Sequence, residues 1–263
     1  PRNHDFNGET EYGVGAYQLT LRGHWRCSAA KAFLRPVLGR PNLTVLTGAQ
    51  ASRVLVEGGR AVGVEWIEKG EKKSARAARE VILSAGALQS PQLLQLSGLG
   101  PAALLRQHGI PVVADLPGVG ENLQDHLQLR MAFKVSNVPT LNTLAASLWG
   151  KAKMALEYAL HRTGPLTMAP SQLGAFLKSD DGQPSANLEY HVQPLSLDKF
   201  GDPLHGFPAF TASVCNLRPT SRGHVRAASN DSYAPPKITP NYLRSEEHTS
   251  ELQSHHDLVC RLL

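Results

Sequence analysis

A short apolar run that ends in small residues and a proline constrains this chain more than any other feature. Residues 81–84, Val-Ile-Leu-Ser, have the composition of a strand buried on both faces of a parallel sheet. Ala85 and Gly86 follow, and the pattern then predicts a helix with Ser90 as its N-cap and Pro91 at its first helical position. Such a unit can present backbone N–H groups and a helix dipole to a phosphate, although a crossover with nothing bound fits the spacing equally well.

The residues before this unit have the pattern of a β-meander. β-Branched residues predict strands over 42–47, 53–57 and 61–67, and Gly58-Gly59 is a two-residue turn signal between the last two. The meander leads into the apolar strand over 80–84.

The second half of the chain predicts an antiparallel sheet. Strands are indicated over 129–135, 174–178, 188–192, 210–216 and 223–227. Residues 141–161 predict a helix with Leu144, Leu148, Ala152, Leu156 and Leu160 close to one face, which we expect to back the sheet. The fold class is therefore α/β (α+β overall), and the likeliest domain break by composition is near residue 130.

Composition excludes several functions. Lys plus Arg outnumber Asp plus Glu by 27 to 22, but the basic residues are scattered, which argues against a nucleic-acid-binding protein. No apolar run approaches the roughly 20 residues of a membrane-spanning helix, so we predict no integral membrane segment. The three cysteines, Cys27, Cys215 and Cys260, lack Cys-x-x-Cys spacing and predict neither a disulfide framework nor a zinc site.

The character of the sequence changes after Leu243. Arg244 begins the run RSEEHTSELQS, which resembles the conceptual translation of a sequencing adapter, and we interpret residues 244–263 as a non-native tail. Possible metal ligands in this tail are His248, His255, His256, Asp257 and Cys260. A metal-binding module built on them requires native sequence there, so we predict no metal site.

Six segments together resemble one enzyme family. Gly86–Gly100 meets every constrained position of the fifteen-residue second signature of the glucose–methanol–choline (GMC) oxidoreductases. Further matches are Arg26–Ala30, Arg40–Thr44, Arg60–Val64, Gly118–His126 and Ser221–Val225. The resemblance covers essentially all of 1–243, and the chain is most similar to the choline- and alcohol-dehydrogenase-like branch.

The resemblance implies an FAD-dependent oxidoreductase that transfers hydride from a primary alcohol to flavin. Residues 1–130 would be a partial FAD-binding, Rossmann-like domain, and residues 131–243 an antiparallel-sheet substrate-binding domain. The implied partner is a small-molecule alcohol. The electron acceptor and the localisation are not determined by the sequence, and no nucleic-acid partner is expected.

The resemblance also assigns cofactor-binding positions. Ala85 and Gly86 would lie against the ADP part of FAD, where a longer side chain would block the backbone, and Ser90 belongs to the same helix start. Ala51 matches the position whose backbone reads the adenine edge. The run Asn122 to His126, with Asp125, marks the return to the substrate domain, and we favour hydrogen bonding at the domain junction over catalysis for these residues.

Gln172 and His191 are the candidate substrate residues. Choline-oxidising relatives tend to carry Glu where this chain has Gln172, two residues before Gly174-Ala-Phe176, and a carboxylate there would hold a quaternary ammonium group. The neutral amide favours an uncharged primary alcohol, although a Gln packed at a sheet edge fits the pattern at least as well. His191 is interpreted as a polar contact in the substrate sheet.

Two parts of the family pattern are missing. The opening Gly-x-Gly-x-x-Gly unit that holds the FAD pyrophosphate does not occur. The family's catalytic pair, His with His or Asn, belongs beyond Leu243, so no catalytic residue is assigned. We therefore expect an internal fragment of the enzyme, inactive by itself. The alternative is a non-catalytic relative with the FAD fold that acts as a binding or structural protein.

Overall fold

The computed structural model describes residues 1–169, 171–199 and 201–243, and these form two compact units. The first unit comprises residues 1–43 and 126–218, and the second comprises residues 44–125 with the described residues from 219 onward. The chain therefore changes unit after Leu43, Asp125 and Arg218, whereas the prediction had a single break near residue 130. Composition could not reveal the change of unit after Leu43. The N-terminal residues belong to the first unit because a strand near the N-terminus pairs with one far along the chain. The predicted non-native tail, residues 244–263, lies outside the described residues.

The described residues of the first unit contain a five-stranded antiparallel sheet and a separate two-stranded one, β2-β3. The strands of this unit are β1 (Gly13–Ala16), β2 (Leu21–Arg22), β3 (Trp25–Arg26), β10 (Gln128–Lys134), β11 (Leu173–Leu177), β12 (Leu188–Gln193) and β13 (Ala209–Asn216). Its α-helices are α3 (Leu141–Leu144) and α4 (Leu148–His161), with a π-helical turn at Ala30–Leu34 and 3₁₀ turns at Arg35–Val37 and Pro165–Thr167. The second unit contains β4 (Ala49–Glu57), β5 (Arg60–Glu68), β6 (Glu71–Arg76), β7 (Leu99–Gly100), β8 (Ala114–Asp115), β9 (Glu121–Leu123), β14 (Gly223–Arg226) and β15 (Lys237–Thr239), with helices α1 (Gly86–Leu96) and α2 (Ala102–Gln107).

The sheet of the first unit has the strand order β1-β11-β12-β13-β10. Three of the predicted sheet strands, β11 to β13, pair in sequence, and β10 pairs with β13. The predicted strand over 223–227 is an exception, because it corresponds to β14, which pairs with β9 and β15 in the second unit. Alternation along a strand indicates which face a residue occupies but not which strand will lie beside it.

The predicted helix over 141–161 is divided into α3 and α4. Ser147 is the N-cap of α4, and its Oγ accepts a hydrogen bond from the Gly150 N–H at 3.0 Å. No residue of α4 is buried, and Leu148 is 85% exposed. The expectation that the apolar face of this helix packs on the sheet is therefore wrong.

The meander of the second unit is confirmed over most of its length. β4, β5 and β6 pair in that order, and Gly58 and Gly59 form the turn with φ of +55° and +78°. Positive φ at both central positions is the turn geometry that matches the twist of a hairpin. The predicted strand over 42–47 is wrong, because β4 begins at Ala49, opposite Glu68 near the end of β5.

The apolar run over 81–84 is not a strand. It makes no ladder with any of the residues that the structure describes, and Ile82 is 76% exposed. A parallel strand is held by hydrogen bonds to its neighbours, so an apolar sequence without a neighbour remains irregular. The predicted helix start is also too late: α1 begins at Gly86 with Ala85 as N-cap, and Pro91 lies inside the helix.

Helix α1 contributes to the core of the second unit. Leu96, Leu105 and Ile110 form its buried apolar cluster. Across the part of the chain described above, no helix combines the length and apolar character needed to cross a bilayer.

Candidate functional site

The bend at Ala85-Gly86 is open, and it presents polar backbone groups. Both residues are exposed, and a Cβ placed on Gly86, whose φ is +83°, would have no atom within 4 Å. Ala85 supplies no side-chain cap, and the first turn of α1 contains no acidic residue. The first N–H groups of α1 therefore have no side-chain acceptor, an arrangement that suits an anion.

Ser90 does not have the role that the pattern predicted. It is half-buried and lies within α1, beyond the first turn, so it cannot cap the helix. Its contact with a cofactor stays a prediction.

Ala51 lies on β4, the strand that is hydrogen-bonded to the end of α1. It is half-buried in β4, beside a bulge between Ala51 and Arg53. The Val54 N–H donates to Ser97 Oγ at 2.8 Å, and this hydroxyl donates to the Leu93 carbonyl at 2.5 Å. β4 and α1 therefore belong to one hydrogen-bonded framework, which carries all the predicted cofactor positions.

Gln95 is the residue in this framework that the sequence analysis missed. Its side chain is fully buried; Nε2 donates to the carbonyls of Val119 at 3.1 Å and Val225 at 3.0 Å, and Oε1 accepts from the Ala227 N–H at 2.6 Å. One amide thus joins α1 to β14 and to the loop before β9. The signal was available, because a glutamine among leucines on a helix needs polar partners when it is buried.

The sheet of the first unit has a polar face. The cross-strand register places Glu189, His191 and Gln193 of β12 on the side of Cys215, Ser213 and Thr211 of β13. The opposite side carries mostly apolar residues. Polar groups that converge on one face of a sheet make this face a candidate ligand surface.

Tyr17 is the centre of the hydrogen bonding on this face. Its hydroxyl donates to Glu189 Oε1 at 2.8 Å, and its ring stacks on His191 with centroids 5.5 Å apart. His191 Nε2 lies 3.2 Å from Glu189 Oε1. Burial of the phenol and its bond to Glu189 raise the pKa of Tyr17 far above its usual value.

Cys215 and His126 adjoin the same carboxylate. Ligand atoms of His126, Glu189 and Cys215 lie within 4.8 Å of one another, a spacing that a metal ion could use. Burial, followed by the charge of Glu189, raises the pKa of the Cys215 thiol to about 12, so the thiol is protonated at neutral pH. His126 Nε2 is 3.2 Å from the Leu217 carbonyl. The Cys215 thiol donates to Glu189 Oε2 at 3.8 Å. The cluster was absent from the sequence analysis because its members are distant in sequence.

The structure brings the two predicted substrate residues onto the same sheet. Gly174 is paired with His191, and alternation places Gln172 on the same face as Gly174. The backbone N–H of Gln172 donates to Val192 at 3.0 Å, and its carbonyl accepts from Tyr17 at 3.1 Å, but its side chain is exposed. The alternative of a packed sheet-edge residue therefore does not describe this side chain.

Two of the junction residues, Asp125 and His126, each make a hydrogen bond within their own unit, and a role in joining the units stays a prediction. The chain changes unit between Asp125 and His126. In the second unit Tyr242 donates a short hydrogen bond to Asp125, which raises the pKa of Tyr242 to about 12. Asn122 has a φ of +64°, a conformation that asparagine tolerates better than most residues.

Sequence comparison agrees with this architecture. The GMC oxidoreductase family matches residues 1–128. An oxygen-dependent choline dehydrogenase from Burkholderia ambifaria is 40% identical over 245 residues, which are 92% of this chain and 43% of that enzyme. An alcohol dehydrogenase [acceptor] from Pseudomonas putida is 41% identical over 248 residues, or 93% of this chain and 45% of that enzyme. The chain thus spans less than half the length of these curated relatives.

Solved structures share the fold. A pyridoxine 4-oxidase from Mesorbium loti superimposes with a TM-score of 0.78 at 27% identity, over 95% of this chain and 45% of that one. A formate oxidase from Aspergillus oryzae RIB40 gives a TM-score of 0.83 at 22% identity, over 98% and 50%, and supports the fold alone. These structures share the mixed helix and antiparallel-sheet architecture of this chain. The chain belongs to the GMC oxidoreductase family, as its signature over 86–100 predicted.

Proposed function

We propose that this chain is part of an FAD-dependent oxidoreductase that oxidises a primary alcohol. The observation that carries the proposal is its 40–41% identity, over 92–93% of its length, to a choline dehydrogenase and an alcohol dehydrogenase. When bound, FAD supplies the hydride acceptor of such a reaction.

The second unit contributes to FAD binding in this proposal. Two features of its residues support that role: the first turn of α1 has no side-chain cap, and the space beside Gly86 is open. The N–H groups at this helix start would bind a phosphate of the cofactor, and the backbone of Ala51 would contact the adenine. A side chain at position 86 would occupy the space through which the cofactor approaches the backbone.

The first unit contributes the substrate surface. Gln172 and His191 share one face of its sheet, and the exposed amide of Gln172 can donate to and accept from a hydroxyl group. Glu189 lies two residues before His191 on β12, but its carboxylate already accepts a hydrogen bond from Tyr17. The finer proposal is therefore an uncharged primary alcohol rather than choline, because Gln172 offers a neutral amide where choline-oxidising relatives tend to carry Glu.

A chimera tests the proposal. Residues 1–243 replace the matching segment of the Pseudomonas putida alcohol dehydrogenase, and the product is assayed for bound FAD and for dye reduction by primary alcohols. We expect both. Gly86→Val should reduce FAD occupancy severalfold or more, whereas Gly109→Val, at another exposed glycine with positive φ and open space around it, should leave occupancy unchanged. A folded chimera that binds no FAD, or that retains FAD fully in the Gly86→Val variant, would contradict the assignment.

The substrate preference is tested in the same chimera. Gln172→Glu should increase kcat/KM for choline relative to a neutral primary alcohol by roughly tenfold, since a carboxylate stabilises a bound cation. Gln172→Leu is the matched control and should show no gain for choline. An unchanged ratio in Gln172→Glu would remove Gln172 from the substrate site.

A further inference from the structure

The two ring nitrogens of His191 contact groups of different chemistry. Nε2 lies 3.2 Å from Glu189 Oε1, and Nδ1 lies 3.3 Å from the side-chain nitrogen of Gln128. An ionised carboxylate can only accept a hydrogen bond, so the proton of the neutral ring must be on Nε2. Nδ1 then keeps its lone pair, which faces an amide that can donate to it. Both contacts therefore select the same tautomer of the imidazole.

Glu189 is itself held at both oxygens of its carboxylate. The Tyr17 hydroxyl donates to Oε1 at 2.8 Å, and the Cys215 thiol donates to Oε2 at 3.8 Å. Burial and the neighbouring carboxylate raise the pKa of both donors, so each keeps the proton that it donates at neutral pH. The Glu189 side chain is 15% exposed. A largely buried carboxylate with two donors has little freedom to turn away from His191.

Gly174 makes room for Tyr17 in this arrangement. It is paired with His191 across the strands, and a Cβ on Gly174 would overlap the Tyr17 ring. The Tyr17 N–H donates to the Gln172 carbonyl at 3.1 Å, which fixes the backbone just after β1. The Tyr17 ring can therefore lie over the strand and stack on His191, with 25° between the two planes. The imidazole of His191 is thus held across its face as well as at both nitrogens.

We propose that Glu189 is a positioning residue for His191, which holds the ring proton on Nε2 so that Nδ1 can accept a hydrogen bond from the hydroxyl group of the alcohol. The side-chain nitrogen of Gln128 marks the direction of the Nδ1 lone pair, and the hydroxyl group would take the place of this amide. The role toward the alcohol rests on the proposed function, whereas the contact between Glu189 and the imidazole does not. Sequence analysis singled out His191 but not Glu189, because only the cross-strand contacts show what holds the ring.

Nuclear magnetic resonance of the chain, labelled with ¹⁵N at histidine, tests the contact without any cofactor. The spectrum of His191→Gln identifies the His191 signals by their loss. At about pH 8, above the usual pKa of an imidazole, we expect an unprotonated Nδ1 and an Nε2–H proton that exchanges with water slowly enough to be observed. This proton should disappear from the spectrum of Glu189→Leu. In Glu189→Gln it should exchange severalfold faster, because a neutral oxygen accepts a hydrogen bond more weakly than a carboxylate.

Glu157 supplies the matched control. Its carboxylate accepts a hydrogen bond from Thr163 Oγ1 at 3.3 Å in the same unit, so Glu157→Leu and Glu157→Gln should leave the His191 signals unchanged. The absence of an Nε2–H signal from the parent chain, or a signal that Glu189→Gln leaves unchanged, would overturn the proposal. Because glutamine conserves the size of the side chain, that arm is informative even if Glu189→Leu does not fold.

A double-mutant cycle in the chimera tests the role toward the alcohol. Glu189→Leu should lower kcat/KM for a primary alcohol roughly tenfold while FAD occupancy is unchanged. In a His191→Ala background the same substitution should have no further effect, because Glu189 acts through His191. Equal losses in the two backgrounds would overturn the positioning role. A chimera that oxidises no alcohol, although the parent chain shows the Nε2–H signal, would instead contradict the proposed function.

Discussion

Replacing Gln95 by leucine should destabilise the second unit more than the similar size of the two side chains suggests. Leucine fills a similar volume, so little cavity is created, but it can make none of the three hydrogen bonds of the amide. The Val225 carbonyl and the Ala227 N–H both belong to residues that are 1% exposed, so neither can reach water in the folded state. Val119 is half-buried, and its carbonyl can be rehydrated more easily.

The expected cost follows from these two buried groups. An unsatisfied buried donor or acceptor costs about 1–3 kcal/mol, and the greater burial of apolar surface by leucine returns about 1 kcal/mol. The free energy of unfolding should therefore fall by about 3 kcal/mol. Gln92 is the matched control: it is 6% exposed and makes one hydrogen bond, to Ala234 at 2.7 Å, so Gln92→Leu should cost about 1 kcal/mol.

Tryptophan fluorescence can isolate the unit concerned. Of the three tryptophans, Trp66 is in the second unit, while Trp25 and Trp149 are in the first. Urea unfolding of a Trp25→Phe, Trp149→Phe background therefore follows the second unit through Trp66. If Gln95→Leu changed the free energy of unfolding by less than about 0.5 kcal/mol, with an unchanged denaturant slope, the reasoning from unsatisfied buried groups would be refuted.

Three other outcomes follow from the structure. A Cβ at Gly120 would lie 2.1 Å from the Val225 carbonyl oxygen, so Gly120→Ala should lower the free energy of unfolding by about 3 kcal/mol or more in the same urea assay. The hydrogen bond to Asp125 raises the pKa of Tyr242 to about 12, and this pKa should fall towards 10 in Asp125→Asn when phenolate absorbance is titrated. Because the pKa is raised in the folded state, the contribution of this hydrogen bond to the free energy of unfolding is complete below pH 10 and is lost as the pH approaches 12. Cys215, with a thiol pKa of about 12, should react with a disulfide reagent at pH 8 only as fast as the protein unfolds.

Each of these has its own control. Gly109→Ala lies in open space and should cost about 1 kcal/mol, so equal losses at the two glycines would contradict the steric argument. An unshifted phenolate titration in Asp125→Asn would show that another group holds the Tyr242 proton. For the thiol, a Cys27→Ser, Cys260→Ser background leaves Cys215 as the sole cysteine. Rapid labelling of Cys215 in the folded protein would show that its thiol is not desolvated.

The amino-acid sequence was sufficient for features that depend on neighbours along the chain. Alternating residues and Gly58-Gly59 predicted the hairpin of β4 and β5, because a two-residue turn fixes the register of the strands it joins. The fifteen-residue signature over 86–100 identified the family, because every one of its constrained positions can be read along the chain. These inferences needed no knowledge of which distant segments meet.

Tertiary structure decided everything that depends on distant neighbours. Residues 81–84 are apolar enough for a buried strand, yet without a pairing strand among the described residues they are irregular and Ile82 is exposed. The apolar stripe of α4 was read correctly as a stripe, but its direction is set by Tyr158 and Trp25, more than a hundred residues apart. Glu189, Tyr17 and Cys215 likewise become one cluster only through cross-strand register. Periodicity specifies the faces of an element, whereas the partner of each face is chosen by the free energy of the whole fold.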